Sequence, residues 1–286
     1  HETLTRLSAA VDDAYDTALE NIREAASDGT LLRGEVLMRW QDFVGTGEFF
    51  RSLESGIGRL RDRLVGIMRG TPAQAAKVEQ ALEHGLHAVA VDAAARAAEQ
   101  VRRSWGSERP GALLLEEHDA GVTAEQVQTE QSTFETQVAE QIRAWQQGIL
   151  ETIRAEGAGK RQRARVLSLG VNAAAVLLMV AVFSATGGLT GLEIGIAGGS
   201  GVVGSKLLES VFGEDAARRM AQRARIDLIE RMQNLLDVHR QRFTDSLNTI
   251  NAGPEPAQVL EAAQQTHRIG HELAVDGNPA SKEIRG

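Results

Sequence analysis

The stretch that decides the fold is VLSLGVNAAAVLLMVAVFSATGGLTGL, residues 166–192, which carries no charged side chain. Its first part, from Val166 to Thr186, has about the length of a helix that crosses a bilayer core. A segment this apolar is stable only where water is excluded, either in a protein interior or in lipid. The remainder of the chain therefore either surrounds this segment or leaves it in contact with lipid.

The composition of the whole chain favours helices. The 286 residues include 5 prolines and 4% aromatic residues, while Ala, Leu, Glu, Gln and Arg dominate. Cysteine is absent, which excludes disulfides, thiol catalysis and Cys-ligated zinc. With 31 Lys+Arg against 39 Asp+Glu, the net charge of −8 argues against nucleic acid as a partner. We predict an all-α fold.

Apolar residues at helical spacing predict four helices in the first third of the chain. The first ends before Gly29, the second covers about residues 31–44, the third about 47–70, and the fourth runs from Pro72 to about Gly106. Pro110 and two glycines predict a connector over residues 107–121. A last helix is predicted over about residues 256–274.

Two long arms flank the apolar stretch. The capping box Thr123–Gln126 predicts the start of an ascending arm over 123–186, and a second box, Thr190–Glu193, predicts a returning arm over 191–251. Each arm would be roughly 90 Å long at 1.5 Å per residue. We expect an elongated helical bundle with a long antiparallel helical hairpin and an apolar, Gly-rich tip.

Glycine breaks divide this hairpin into parts. Gly157 and Gly159 interrupt the ascending arm and Gly213 interrupts the returning arm, so these three residues are the predicted hinges. The expected division is a helical bundle with the ascending stalk helix (1–156), the hairpin tip (157–213), and the returning stalk helix with the C-terminal helix (214–286).

Three groups of residues define the expected membrane contact. The apolar tip consists of Leu178, Val182, Phe183, Leu189, Leu192, Ile194 and Ile196. Glycines at four-residue spacing, which allow close helix packing, are Gly187, Gly191, Gly195 and Gly199. A basic collar suited to anionic headgroups consists of Lys160, Arg161, Arg163, Arg165, Arg218, Arg219, Arg223 and Arg225. The alternative is that the apolar hairpin is the buried centre of a soluble bundle.

No arrangement of residues indicates catalysis. Gly199 to Lys206 has the reverse order of Ser and Lys from a phosphate-binding loop, so no nucleotide cofactor is expected. The pairs His84/His87 and His267/His271 have no third ligand at a recognisable spacing, so no metal site is expected. His239 lies on the apolar seam of its helix and is interpreted as a hydrogen-bonded core histidine.

Two stretches resemble a known family. The run WQDFVGTGEFFRSLE, residues 40–54, is similar to the segment that follows the GTPase domain in actinobacterial dynamin-like GTPases, often labelled ABC-transporter or ATP/GTP-binding proteins. The run 183–199, together with 207–213, resembles the apolar hairpin of the same proteins. The resemblance covers roughly residues 30–250 and lacks the GTPase motifs of the family.

The resemblance implies a non-catalytic helical stalk and membrane-associating module, not an enzyme in itself, that acts in membrane remodelling or anchoring. Its implied partners are an anionic membrane surface and a GTPase domain N-terminal to this chain, with self-association as a further expectation. The implied location is the cytoplasm, peripheral to or inserted at the inner face of the cell membrane. Two other classes stay open: an α-helical pore-forming toxin and a soluble coiled-coil scaffold.

Overall fold

The computed structural model of the chain describes residues 2–44, 72–120, 122–158, 170–184, 198–251, 264–266 and 268. Within these ranges every regular element is a helix, so the predicted all-α class is confirmed. The predicted helix over 47–70, the capping box Thr190–Glu193 and most of the predicted helix over 256–274 lie outside the described residues.

Eight α-helices and one 3-10 turn have their bounds within the described ranges, and residues 264–266 and 268 are helical as well. In chain order they are α1 (Glu2–Ala25), the 3-10 turn (Thr30–Leu32), α2 (Glu35–Val44), α3 (Pro72–Gly106), α4 (Arg109–Asp119), α5 (Ala124–Glu156), α6 (Val171–Phe183), α7 (Gly198–Phe212) and α8 (Glu214–Asn251).

Local sequence signals set several helix ends. The capping box before α5 is confirmed: the Gln126 backbone N–H donates to Thr123 Oγ1 at 3.2 Å, and the Thr123 N–H donates to Gln126 Oε1 at 2.8 Å. Between α7 and α8, Gly213 has φ 90°, a conformation that glycine adopts without strain. The predicted interruption at Gly213 is therefore confirmed as a helix break.

The predicted connector over residues 107–121 is wrong, because α4 occupies most of it. Pro110 lies in the first turn of α4, where its missing N–H would have had no helical partner anyway. Gly111 lets this turn approach the end of α3, since a Cβ at this position would lie 2.8 Å from the Trp105 Cα. The indole of Trp105 is buried and donates to the Leu7 carbonyl at 3.1 Å, which fixes α3 against α1.

The long helices surround α6. Helix α1 packs against α3 and α8, α5 packs against α3 and α8, and α6 contacts α3, α5, α7 and α8. Two side-chain hydrogen bonds show that α5 and α8 are antiparallel: Trp145 donates to the Ala224 carbonyl at 2.8 Å, and Arg231 donates to Gln141 at 3.1 Å.

Helix α6 does not continue α5 as a straight arm. The ring centroids of Trp145 and Phe183 are 5.5 Å apart, whereas 38 residues of one continuous helix would separate them by about 57 Å. The ascending arm therefore folds back after Gly157, and α6 lies alongside α5. The physical reason is that an apolar helix gains free energy from lying among other apolar side chains. The predicted Gly-rich tip lies largely outside the described residues.

We predict that Gly111→Ala lowers the free energy of unfolding by about 2 kcal/mol, because the added methyl group meets the backbone of Trp105, which cannot rotate away. The measurement is urea unfolding followed by circular dichroism. Gly148→Ala is the matched control, since a Cβ there lies 3.8 Å from Asp227 and the helix propensity improves by roughly 0.5–1 kcal/mol. Equal stability of the two variants would contradict the close contact between α3 and α4.

Candidate functional site

The candidate site is the buried apolar helix α6 together with the side chains that hold its C-terminal end. Eleven of the 13 residues of α6, from Ala173 to Phe183, are buried. A helix that is apolar on every side belongs in the interior of a protein or in a membrane. Among the described helices, none has both the length and the apolar character that crossing a bilayer requires.

Three residues of the predicted tip lie in the interior of the bundle. Leu178, Val182 and Phe183 each have 0% of their surface exposed. They can reach lipid only if α6 leaves its neighbours, which exposes the facing surfaces of α3, α5 and α8 as well. The other predicted tip residues lie outside the described residues, and they are Leu189, Leu192, Ile194 and Ile196.

Arg225 of α8 caps the C-terminal end of α6. Its Nε donates to the Val182 carbonyl at 3.2 Å, and its Nη2 donates to the carbonyls of Val182 and of Ser184, the latter at 3.3 Å. Val182 lies in the last turn of the helix and Ser184 directly follows it, where carbonyls have no helical N–H partners. A cation at this end also interacts favourably with the helix dipole. Burial lowers the pKa of the Arg225 guanidinium, so its charge stands in a partly dehydrated environment.

The predicted basic collar is divided between different environments. Arg225 faces the carbonyls of α6, whereas Arg218, Arg219 and Arg223 are exposed on the first turns of α8. Arg218 pairs with Glu214 at 2.7 Å, an exposed contact that contributes little to stability. The four collar residues on the other arm lie outside the described residues, and they are Lys160, Arg161, Arg163 and Arg165.

A glycine that the sequence analysis did not single out allows the close approach of α6 and α7. A Cβ at Gly204 would lie 2.7 Å from Val180 Cγ1 and 3.6 Å from the Trp40 ring. In the sequence, Gly204 lies one helical turn before Leu208, and this spacing from an apolar residue could have indicated that Gly204 lies on the packed face of the helix. Of the predicted ridge, Gly199 lies within α7, while Gly187, Gly191 and Gly195 lie outside the described residues.

Two of the three predicted hinges lie within the described residues, and both are at helix ends. Helix α5 ends at Glu156 with Gly157 as its cap, and Gly213 separates α7 from α8. Gly159 lies outside the described residues. These positions are helix breaks, and hinge motion at them stays a prediction.

A second polar cluster joins α1 and α8 at the other end of the bundle. The Tyr15 hydroxyl lies 2.8 Å from His239 Nδ1, and the Phe134 ring lies 4.5 Å from the His239 ring. Burial, aided by the nearby charge of Arg242, lowers the pKa of His239 to about 4. Burial also raises the pKa of Tyr15 to about 12, against the opposing effect of Arg242. The predicted hydrogen bonding of His239 is confirmed, whereas the residue is half-buried at the edge of the core.

The described residues contain no group of three or more His, Asp or Glu side chains placed to hold a metal ion. No protein-family model matches the chain, and the searches of curated proteins and of solved structures gave no match either.

We predict that Arg225→Met lowers the free energy of unfolding by about 1–2 kcal/mol, because the carbonyls of Val182 and Ser184 lose their donor while the aliphatic packing is kept. Urea unfolding is the measurement. Arg219→Met is the control, since Arg219 is exposed on the same helix and its loss should change stability by less than about 0.5 kcal/mol. A loss of equal size in both variants would contradict the capping role of Arg225.

We predict that stability falls as the pH is lowered from about 6.5 to about 4. Because the pKa of His239 is below its ordinary value in the fold, the unfolded chain takes up a proton in this window while the native protein does not. The loss attributable to His239 is about 3 kcal/mol in total and is absent above this window. His239→Phe should flatten this part of the profile of unfolding free energy against pH. An unchanged slope in the variant would show that His239 is not the responsible group.

Proposed function

We propose that this chain is the non-catalytic, membrane-associating helical module of a larger dynamin-like GTPase, acting in membrane remodelling or anchoring. One observation supports the membrane association in this proposal: α6, a helix with no polar face, lies buried inside the bundle. Such a helix is stable in two environments, a protein interior and a lipid interior. The link to a GTPase is supported by the resemblance of residues 40–54, 183–199 and 207–213 to segments of actinobacterial dynamin-like GTPases.

Exposed cations near α6 support an encounter with anionic lipid. Arg218, Arg219 and Arg223 follow the break at Gly213 and lie within about two turns of Arg225, which caps α6. A cation close to an anionic surface contributes roughly 1 kcal/mol to binding. Of the three, Arg218 lines a groove together with Ala181 and Arg225, so lipid contact at this part of α8 would bring the membrane close to the end of α6.

Release of α6 is the costly step in this proposal. Withdrawing its seven large buried side chains from the bundle into water would cost on the order of 10 kcal/mol, and their transfer into lipid would offset most of this amount. The contact of Arg225 with Val182 and Ser184 must also break. Binding through the exposed cations alone requires neither change and would precede release.

A soluble helical scaffold is the second candidate function, and the burial of Leu178, Val182 and Phe183 favours it. In that case α6 serves only as the core of the bundle, and the chain has no affinity for lipid. A pore-forming bundle would share the stored helix but would also make vesicles leak. Vesicle binding and leakage measured together distinguish these functions.

We predict that the chain floats with vesicles containing anionic lipid in a density gradient, and that reversing the charges of Arg218, Arg219 and Arg223 to Glu reduces this binding at least tenfold. All three residues are exposed, so the variant should keep its helical content and its midpoint of urea unfolding. Binding to neutral vesicles should be unchanged.

The matched control reverses Arg23, Arg96 and Arg103, which are equally exposed cations on α1 and α3 and give the same change in net charge. Equal loss in both triple variants would mean that net charge, not the face beside α6, governs binding. Absence of flotation by the unmodified chain would support the soluble scaffold.

A further inference from the structure

A cleft lined by α8 combines apolar walls with a cation that has no carboxylate partner in the described part of the chain. The cleft has a volume of about 470 Å³ and lies between α3, α5 and α8. This is within the usual size range of sites for small molecules. Its apolar lining includes Ala94 and Ala95 of α3, Val127 and Phe134 of α5, and Val238 of α8.

Arg242 of α8 supplies the cation that lines this cleft. Among the described residues no carboxylate lies within 4.0 Å of its guanidinium, and its buried Nε has no hydrogen-bond partner. The neighbouring arginine of the same helix differs, since Arg240 pairs with Asp12 and Asp237 at 3.4 Å each. The Tyr15 hydroxyl interacts with the guanidinium but is uncharged, since burial raises the pKa of Tyr15 to about 12. The partly buried cation therefore has no anionic partner among the described residues, and an anion that reaches it gains a charge-assisted hydrogen bond.

Other contacts hold the Arg242 side chain at this position. Its guanidinium carbon lies 4.9 Å from the centroid of the Phe243 ring, a cation–π contact. The adjacent His239 is engaged by the Tyr15 hydroxyl and by the Phe134 ring, and it does not neutralise the cation. Glu130, a carboxylate that lines the same cleft, is exposed to water and forms no ion pair with Arg242.

The apolar part of the cleft is open to solvent. Val127 and Val238 are 53% and 56% exposed, although both are large aliphatic residues in regular helices. All residues from 124 to 133 of α5 are exposed, so the first turns of this helix leave the cleft uncovered on one side. Burial of these valines by an aliphatic chain would contribute about 25 cal/mol per Å² of apolar surface.

We propose that this cleft binds an amphiphilic carboxylate, with the carboxylate on the guanidinium of Arg242 and the aliphatic chain along Ala94, Ala95, Val127 and Val238. The ligand class is a medium-chain fatty acid or a compound with the same two features. The bidentate geometry of a guanidinium suits a carboxylate. The side chains of Ala94 and Ala95 are small, so an unbranched aliphatic chain has room to lie against α3. None of the residues that line the cleft belongs to α6.

The test is isothermal titration calorimetry of the full chain with sodium decanoate below its micelle concentration. We expect one site with a Kd of roughly 10–100 µM. Decyltrimethylammonium, which has the same chain and the opposite charge, should not bind. No binding of decanoate, or equal binding of the two amphiphiles, would overturn the proposal.

Two variants test the two halves of the site. Arg242→Gln should weaken decanoate binding at least tenfold through loss of the charge. Val238→Glu, at an exposed position that the fold does not depend on, should weaken it to a similar degree through loss of apolar contact and charge repulsion. Leu113→Glu is the control, since Leu113 is 58% exposed on α4 and does not line the cleft. Unchanged affinity in Val238→Glu, or equal loss in Leu113→Glu, would refute this assignment.

Discussion

The structure depends on the need to keep helix α6 away from water. A helix normally places its polar residues on one side, but α6 has apolar residues on all sides and its eleven buried positions face four different helices. The amphipathic helices α3, α5 and α8 can each bury one apolar face against it. Each of these three helices is longer than α6, and each also packs against α1 or against another of the three.

A few polar contacts fix the arrangement that hydrophobic burial favours. Burial is not directional, so it does not by itself determine how far α6 slides along its neighbours. The hydrogen bonds from Arg225 to the end of α6 fix the axial position of α6 relative to α8. The hydrogen bond from Trp145 to the Ala224 carbonyl fixes the axial position of α8 relative to α5. The close approach at Gly204 places α7 on the remaining side. Any function that moves α6 must break its contacts with Arg225 and with Gly204, so residues that stabilise the bundle would also control its opening.

Local features of the sequence predicted local features of the fold. The capping box at Thr123 and the break at Gly213 depend on residues within a few positions of each other, and both occur as predicted. Pro110 was misread as a sign of a connector because proline suits the first turn of a helix as well as a loop. The position of α6, the cap by Arg225 and the cluster of Tyr15 with His239 depend on partners 38 to 224 residues away. Periodicity carries no information on such partners, so the straight arm was expected where the chain folds back.

Hydrogen exchange of the backbone amides of α6, measured by mass spectrometry on the full chain in solution, tests most directly whether this helix is the buried centre. If α6 is the buried centre, the amides from Ala174 to Phe183 are among the slowest to exchange and exchange only through global unfolding, with a free energy equal to that from urea unfolding. Amides of the exposed first turns of α5 serve as the internal reference for rapid exchange. Exchange of the α6 amides at rates close to those of this reference would contradict the buried position of α6. Such rates would show that α6 leaves the bundle without the rest of the protein unfolding.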